Sequence, residues 1–245
     1  MQLMYTILLG VLMVFIIYLL YKNFNSNKAH IGSIKSGTES DVISASSLPS
    51  SNASSNYAYS IWFNVNNWQY RFSESKTLLS RASNNLGNIN NPLITFSPYE
   101  NDININITTY PSSGGDETDT TTMPVINPAC TIKNFPLQKW TNLIVSLNGR
   151  TSDIYLDGKL VRTCVLPGVP KIDPNADINI TPDGGFSGWT TNIEYWGNAL
   201  NPQEAYNIYK KGYGGSFGFF NNLLNKYKLK VSYLVNNKEE GSFEV

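Results

Sequence analysis

Few side chains in this 245-residue chain are placed to do acid–base or nucleophilic chemistry. Hydrolysis of a glycosidic bond with retention needs two carboxyl groups about 5 Å apart on one face. Glu194 stands alone ahead of Tyr195 and Trp196, and Asp153 and Asp157 are divided between a strand pattern and a turn, so no two acids form a dyad. His30 is the only histidine. It lies in a polar stretch near the N-terminus, which leaves the part expected to fold without an imidazole. The protein is therefore expected not to be an enzyme, with no catalytic residue and no cofactor.

Metal and covalent chemistry are tested the same way. Asp173, Asn175, Asp177 and Asn179 alternate with other residues as at the opening of a calcium loop, but the sixth position is Ile178 instead of Gly and the twelfth is Gly184 instead of Glu. No metal site is assigned. Cys130 and Cys164 are too few for a disulfide framework and have no His or Cys neighbour at zinc-ligand spacing. One bridge between them and two buried thiols stay equally open. Asn52, Asn106 and Asn179 head Asn-x-Ser/Thr triplets, acceptors for glycosylation in a lumenal setting, although so Asn- and Ser/Thr-rich a chain generates such triplets by chance. Trp68, Tyr70, Tyr99 and Tyr110 lie in or beside polar loops, where aromatic rings can stack on sugars. Aromatics make up 13% of the chain, so none of the four is singled out as a sugar ligand.

The elements that would hold these residues read as strands. In Tyr57–Val65, Tyr57, Tyr59, Ile61, Phe63 and Val65 share one face at period two. Similar runs are 78–81, 93–97, 103–109, 140–147, 153–156 and 159–165. Asn148-Gly149 and Asp157-Gly158 tolerate positive φ, which predicts an antiparallel meander of the last three. Short strands so regularly punctuated predict a two-sheet sandwich. Lys+Arg and Asp+Glu both total 18, so the formal net charge is 0 and a nucleic-acid partner is not expected.

The N-terminus is different. Leu3 to Tyr21 contains no charge and only Thr6 as a polar side chain, and about twenty residues in a helix span the ~30 Å hydrocarbon core. Residues 1–22 are expected to be a transmembrane anchor, with the lipid bilayer as first partner. Lys22, Lys28 and Lys35 follow the span, so the large domain is expected on the cytosolic side. Residues 23–56, rich in Ser and Asn, read as a flexible linker. Gly212–Gly218 follows a helix pattern, so it reads as a joint and not as a phosphate cradle. In 214–245 an amphipathic run, Phe217 to Leu224, precedes alternating Leu229, Val231 and Tyr233 and a hairpin at Asn236-Asn237.

Residues 57–213 carry a specific resemblance. Phe135 to Asn148, in which Trp140 opens a strand, is followed by Asp153 to Val161 with its Tyr155-Leu-Asp157-Gly158 hairpin. With Gly185-Phe-Ser-Gly-Trp189, Glu194-Tyr195-Trp196 and the closing helix Asn201 to Tyr209, this order is similar to that of the concanavalin A-like lectin/glucanase superfamily, in its laminin-G-like and pentraxin-like branch. The resemblance implies an all-β fold, a two-sheet antiparallel jelly-roll sandwich behind the N-terminal transmembrane helix. Glycosidases of that superfamily carry Glu-x-Asp-x-x-Glu on one strand, and this chain has no such run. The anchor, the run Lys159 to Val169 and the ending Gly212-Tyr-Gly-Gly resemble lectin-like proteins of nucleocytoplasmic large DNA virus particles. That resemblance implies a minor capsid or inner-membrane component whose β domain faces the capsid, with other capsid or membrane proteins as partners. A membrane-anchored carbohydrate-binding surface protein is the alternative, and a glycoside hydrolase a distant third.

Overall fold

The computed structural model describes residues 10–18, 28–49, 56–83, 89–110, 129–214, 230–235 and 238–244, with the backbone alone for 28–31 and for the last two stretches. Two sheets face each other. The first has the order β1 (Lys28–Ile31), β13 (Ser187–Trp196), β4 (Tyr57–Asn67), β9 (Thr141–Asn148), β10 (Thr151–Leu156) and β11 (Lys159–Val165), and β2 (Lys35–Ser36) also pairs β13. The second runs β3 (Asp41–Ile43), β12 (Ile178–Ile180), β5 (Lys76–Ser83), β6 (Ile89–Phe96), β7 (Ile103–Asn106) and β8 (Ala129–Ile132). Strands β14 (Lys230–Val235) and β15 (Lys238–Glu244) pair on either side of 236–237 as a small sheet of their own. All strand pairings are antiparallel.

The alternation in β4 explains the core. Tyr57, Tyr59, Ile61, Phe63 and Val65 point between the sheets, where they meet Leu79, Ile94, Phe96, Ile103 and Ile105. Phe96 stacks on Phe135 at 4.9 Å between centroids and takes Phe186 edge-on at 5.1 Å. Each such ring removes enough apolar surface from water to contribute about 2–3 kcal/mol. The other face of β4 is buried too. Ala58, Ser60 and Trp62 are covered, Trp62 by the closing helix Pro202–Lys211, whose Tyr209 stacks on it at 5.6 Å. Ala205 and Ile208 of that helix pack on Ile144 and Tyr155. Asn201 and Glu204 form a reciprocal capping box, and Pro202 occupies the first turn, where its missing N–H costs nothing. The meander β9–β10–β11 has the expected turns, with positive φ at Gly149, Asp157 and Gly158.

Three expectations need correction or restriction. Residues 28–43, inside the stretch read as linker, supply β1, β2 and β3, one or more to each sheet. These edge strands are held by backbone pairing, which needs no apolar alternation and leaves little trace in a polar sequence. His30 therefore lies in β1, with Glu194 as its Cα partner, and the folded part does contain the one imidazole. Of the span Leu3 to Tyr21, only 10–18 are described. They are helical with exposed apolar side chains, and among the described residues no helix is long and apolar enough to cross a membrane. The amphipathic run 217–224 lies outside the described residues.

The register fixes the two ends of the sandwich. Strand β13 pairs Ser187 with Asn67 and Trp196 with Ala58, and β1 pairs Lys28 with Trp196. The chain thus enters the domain at the Tyr57 end of β4, about 33 Å along the strand from the Asn67 end. Cys130 of β8 and Cys164 of β11 form a disulfide with Cα atoms 6.2 Å apart. Since β8 and β11 are the last strands of their sheets, the bond closes one open side of the sandwich. Arg162 Nη1 adds a hydrogen bond to the Thr131 carbonyl at 2.8 Å across the same gap.

Candidate functional site

Asp157 and Asp153, singled out in the sequence, are structural in their contacts. Asp157 accepts from the Asn142 N–H at 2.9 Å and from Lys139 Nζ at 3.2 Å, which latches the β10–β11 turn onto β9. Asp153 accepts from Thr163 Oγ1 at 2.6 Å. Glu194 is buried in β13, with β4 and β9 between it and β10, so the structure does not bring these three together. The alternating acids behave likewise. Asp173 accepts from Ser83 Oγ and from the Asn175 N–H at 2.9 Å, Asp177 accepts from the Ala45 N–H at 2.7 Å, and Asn179 lies in β12 opposite Val42 and Ser80. Among the described residues no three His, Cys, Asp or Glu are grouped as metal ligands. Asn106 and Asn179 are half-buried in strands β7 and β12, and Asn52 lies outside the described residues.

Asp173 carries a pH signature. The Ser83 hydroxyl, the Asn175 N–H and, more weakly, the Arg81 charge hold its carboxyl below the ordinary aspartate value. A depressed folded value means that its contribution to stability is complete above the unfolded pKa of about 3.9 and is lost as pH falls through the folded value. Melting temperatures followed from neutral pH to about pH 3 should fall more steeply for the native protein than for Asp173→Asn. Parallel curves would remove Asp173 as the cause.

The aromatic candidates separate by end. Trp68, Tyr70 and Tyr99 gather at the Asn67 end, whereas Tyr110 sits at the other, its N–H donating to the Val169 carbonyl at 2.8 Å. Trp68 leans on the core, 5.9 Å from Phe135, and donates from Nε1 to the Tyr99 carbonyl at 3.3 Å. That bond ties the loop after β6 to the loop after β4. Tyr70 donates to the Gly184 carbonyl at 3.0 Å, and Arg71 donates to the Asp183 carbonyl and pairs with Glu74 at 2.7 Å, which brings in the loop after β12. On top, Phe72 and Tyr99 meet edge to face at 5.7 Å, with 47% and 64% of their surfaces exposed. Beneath, the Lys76 ammonium lies 4.6 Å over the Trp68 ring. Burial lowers its pKa, the nearby Arg71 charge lowers it further, and Glu74 opposes both.

Backbone strain collects in the same loops. Arg71, Ser73, Thr181 and Asp183 all have positive φ without being glycine, a conformation that costs free energy unless the surroundings impose it and that concentrates at binding sites. Gly185 is required there: at φ 39° a Cβ would stand 2.2 Å from the Gly37 carbonyl oxygen. The result is a rigid rim with two exposed rings and flanking charge, able to stack on and hydrogen-bond a polar ligand. Sequence reading missed Phe72 and Lys76. Phe72 lies in Gln69-Tyr-Arg-Phe-Ser-Glu74, where an apolar residue in a polar turn was the available signal, whereas Lys76 reads as an ordinary surface lysine until β5 buries it.

Solved structures with the same fold include the receptor binding domain of botulinum neurotoxin D, at TM-score 0.53 and 11% identity over 75% of this chain and 43% of that one. The serotype D ligand binding domain in complex with N-acetylneuraminic acid matches at TM-score 0.51 and 13% identity, over 76% and 42%. The receptor binding domain of the C/D mosaic serotype matches at 0.52 and 11%, over 76% and 43%. The chain spans less than half the length of these structures, and at such identities the likeness shows the fold alone. No curated protein matches the sequence. A family model described as the concanavalin A-like lectin/glucanases superfamily, of laminin G type, matches residues 36–205, which takes in every strand from β3 to β13 and leaves out β1. With more than half of its length inside that match, the chain belongs to the concanavalin A-like lectin/glucanases superfamily.

Proposed function

We propose that this is a non-enzymatic, single-pass membrane-anchored binding protein that works in a large DNA virus particle, where it ties the inner membrane to the capsid shell. The observation that carries the reading is a juxtaposition. The apolar run Leu3 to Tyr21 is followed after seven chain steps by the first strand of a sandwich in which Asp153 and Asp157 are spent on structural hydrogen bonds and Glu194 lies buried apart from them. A domain so attached offers surface, not reactive groups. The lysines after the run support a β domain on the cytosolic side during assembly, facing the capsid. The Cys130–Cys164 bond adds a condition to this placement, because thiols stay reduced in the cytosol unless a dedicated oxidant acts on them. The test is to purify particles and strip them with detergent. The protein should remain in fixed ratio to the shell proteins; its absence from particles, or its complete release with the lipid, would sink the proposal.

A second reading, carbohydrate binding, is favoured by the Phe72–Tyr99 pair with its charged flanks. If the rim takes sugar, the combined change Phe72→Ala and Tyr99→Ala should abolish binding on a glycan array while stability moves by no more than about 0.5 kcal/mol, since both rings are exposed. An array on which the native protein is silent removes this reading.

A further inference from the structure

The two ends of the sandwich differ in chemistry, and the tether chooses between them. The chain enters β1 at Lys28, at the Tyr57 end. From Tyr21 to Lys28 it has seven Cα–Cα steps, which reach at most about 25 Å whatever their conformation. At that same end, Val165 closes β11 with 74% of its surface exposed, the largest value for a big apolar side chain among the described residues. Val169 and Tyr110 follow at 53% and 50%, joined through the Tyr110 N–H to the Val169 carbonyl. Lys171 holds its ammonium 5.6 Å over the Tyr110 ring, and Arg150 binds the carbonyls of Leu166 and Pro167 at 2.9 and 2.7 Å. Exposed valines, a tyrosine and two cations on one surface are the combination that settles at a lipid headgroup boundary.

We propose that this end, formed by Tyr110, Arg150, Val165, Val169 and Lys171, rests on the bilayer, so that the Phe72–Tyr99 rim points away from the membrane. The inference rests on the anchoring reading and adds an orientation to it. A domain free on a long flexible tether would present every face equally, but here the strand begins too close to the apolar run for that. The rim then stands about 33 Å further out, where a shell protein or a glycan can reach it. The chain between Tyr110 and Ala129 contains Asp116, Glu117 and Asp119, so repulsion from anionic lipid is the force that opposes this contact.

The experiment uses the full chain, with its native cysteines bridged, reconstituted in vesicles of phosphatidylcholine and phosphatidylserine that contain a headgroup-region spin-labelled lipid. A fluorophore is attached through Val169→Cys in one sample and through Tyr99→Cys in another. Loss of fluorescence at 169 with none at 99 is expected. Extraction with alkaline carbonate is run on the same vesicles. Release of the chain would overturn the anchoring reading, and the orientation with it. Retention with no quenching at 169, or with quenching at 99 instead, would overturn the orientation alone.

Discussion

Replacing Cys130 and Cys164 together by alanine should lower the melting temperature by roughly 8–16 °C. The two residues are 34 positions apart. Closing a loop of that length in the unfolded chain removes conformational entropy equivalent to about 4 kcal/mol at room temperature. For a chain of this size each kcal/mol moves the midpoint by roughly 2–4 °C. The location raises the stakes beyond entropy. The disulfide joins the last strand of one sheet to the last strand of the other, and the 2.8 Å bond from Arg162 to the Thr131 carbonyl is the neighbouring tie across that side. Without the covalent link, Ile105 of β7 and Ile107 just beyond it lose the cover of Cys164 and Leu166, with which they line a cleft of about 310 Å³. Hydrogen exchange should therefore quicken first in β8 and β11. Identical melting in the presence and absence of a strong reductant would show that the bond contributes nothing and that packing alone holds this side.

How much of this was legible beforehand follows from the signal each element leaves. Strand β4 was readable because one of its faces needs a ring or branched chain at every second position. The β9–β11 meander was readable because its turns need residues that accept positive φ. Strands β1 to β3 were not, since at two to four residues each they are too short to show a period, even though Ile43 of β3 reaches the core, and their pairing with β13 and β12 is made through the backbone. The same misreading put His30 outside the domain. The rim was half legible. Trp68, Tyr70 and Tyr99 stood out as aromatics in polar loops, but their convergence depends on three loops that lie far apart in sequence and on carbonyl acceptors at Tyr99, Asp183 and Gly184 that no side-chain pattern reports.

The second large effect belongs to Arg81 of β5. Arg81 is buried between the sheets, and among the described residues no carboxylate forms an ion pair with its guanidinium. Its Nε donates to the Ala176 carbonyl at 3.0 Å and its Nη2 to the Pro174 carbonyl at 3.2 Å, while Nη1 reaches the hydroxyls of Tyr59 and Tyr195 at 3.5 and 3.4 Å. Burial pushes the phenol pKa of Tyr59 well up, so this ring stays neutral and meets the cation as a dipole. Arg81→Ala leaves two carbonyls and two hydroxyls without their donor and opens a void, which should cost about 3–5 kcal/mol. Arg81→Lys should recover only part of that, because an ammonium cannot present a planar fork to both carbonyls and reach the tyrosines as well. Tyr59→Phe and Tyr195→Phe should each cost about 1 kcal/mol or less, as their bonds are long. Chemical denaturation of the four variants checks the order, and an Arg81→Ala protein within about 1 kcal/mol of the native one would refute it. The guanidinium links β5 of one sheet, β4 and β13 of the other and the 174–176 loop, all in the half of the sandwich where the chain enters. The entry end and the rim are thus held by separate sets of contacts, the first by Arg81 and the second by Trp68 and Arg71, so a variant at Arg81 should leave the bonds of the rim loops in place.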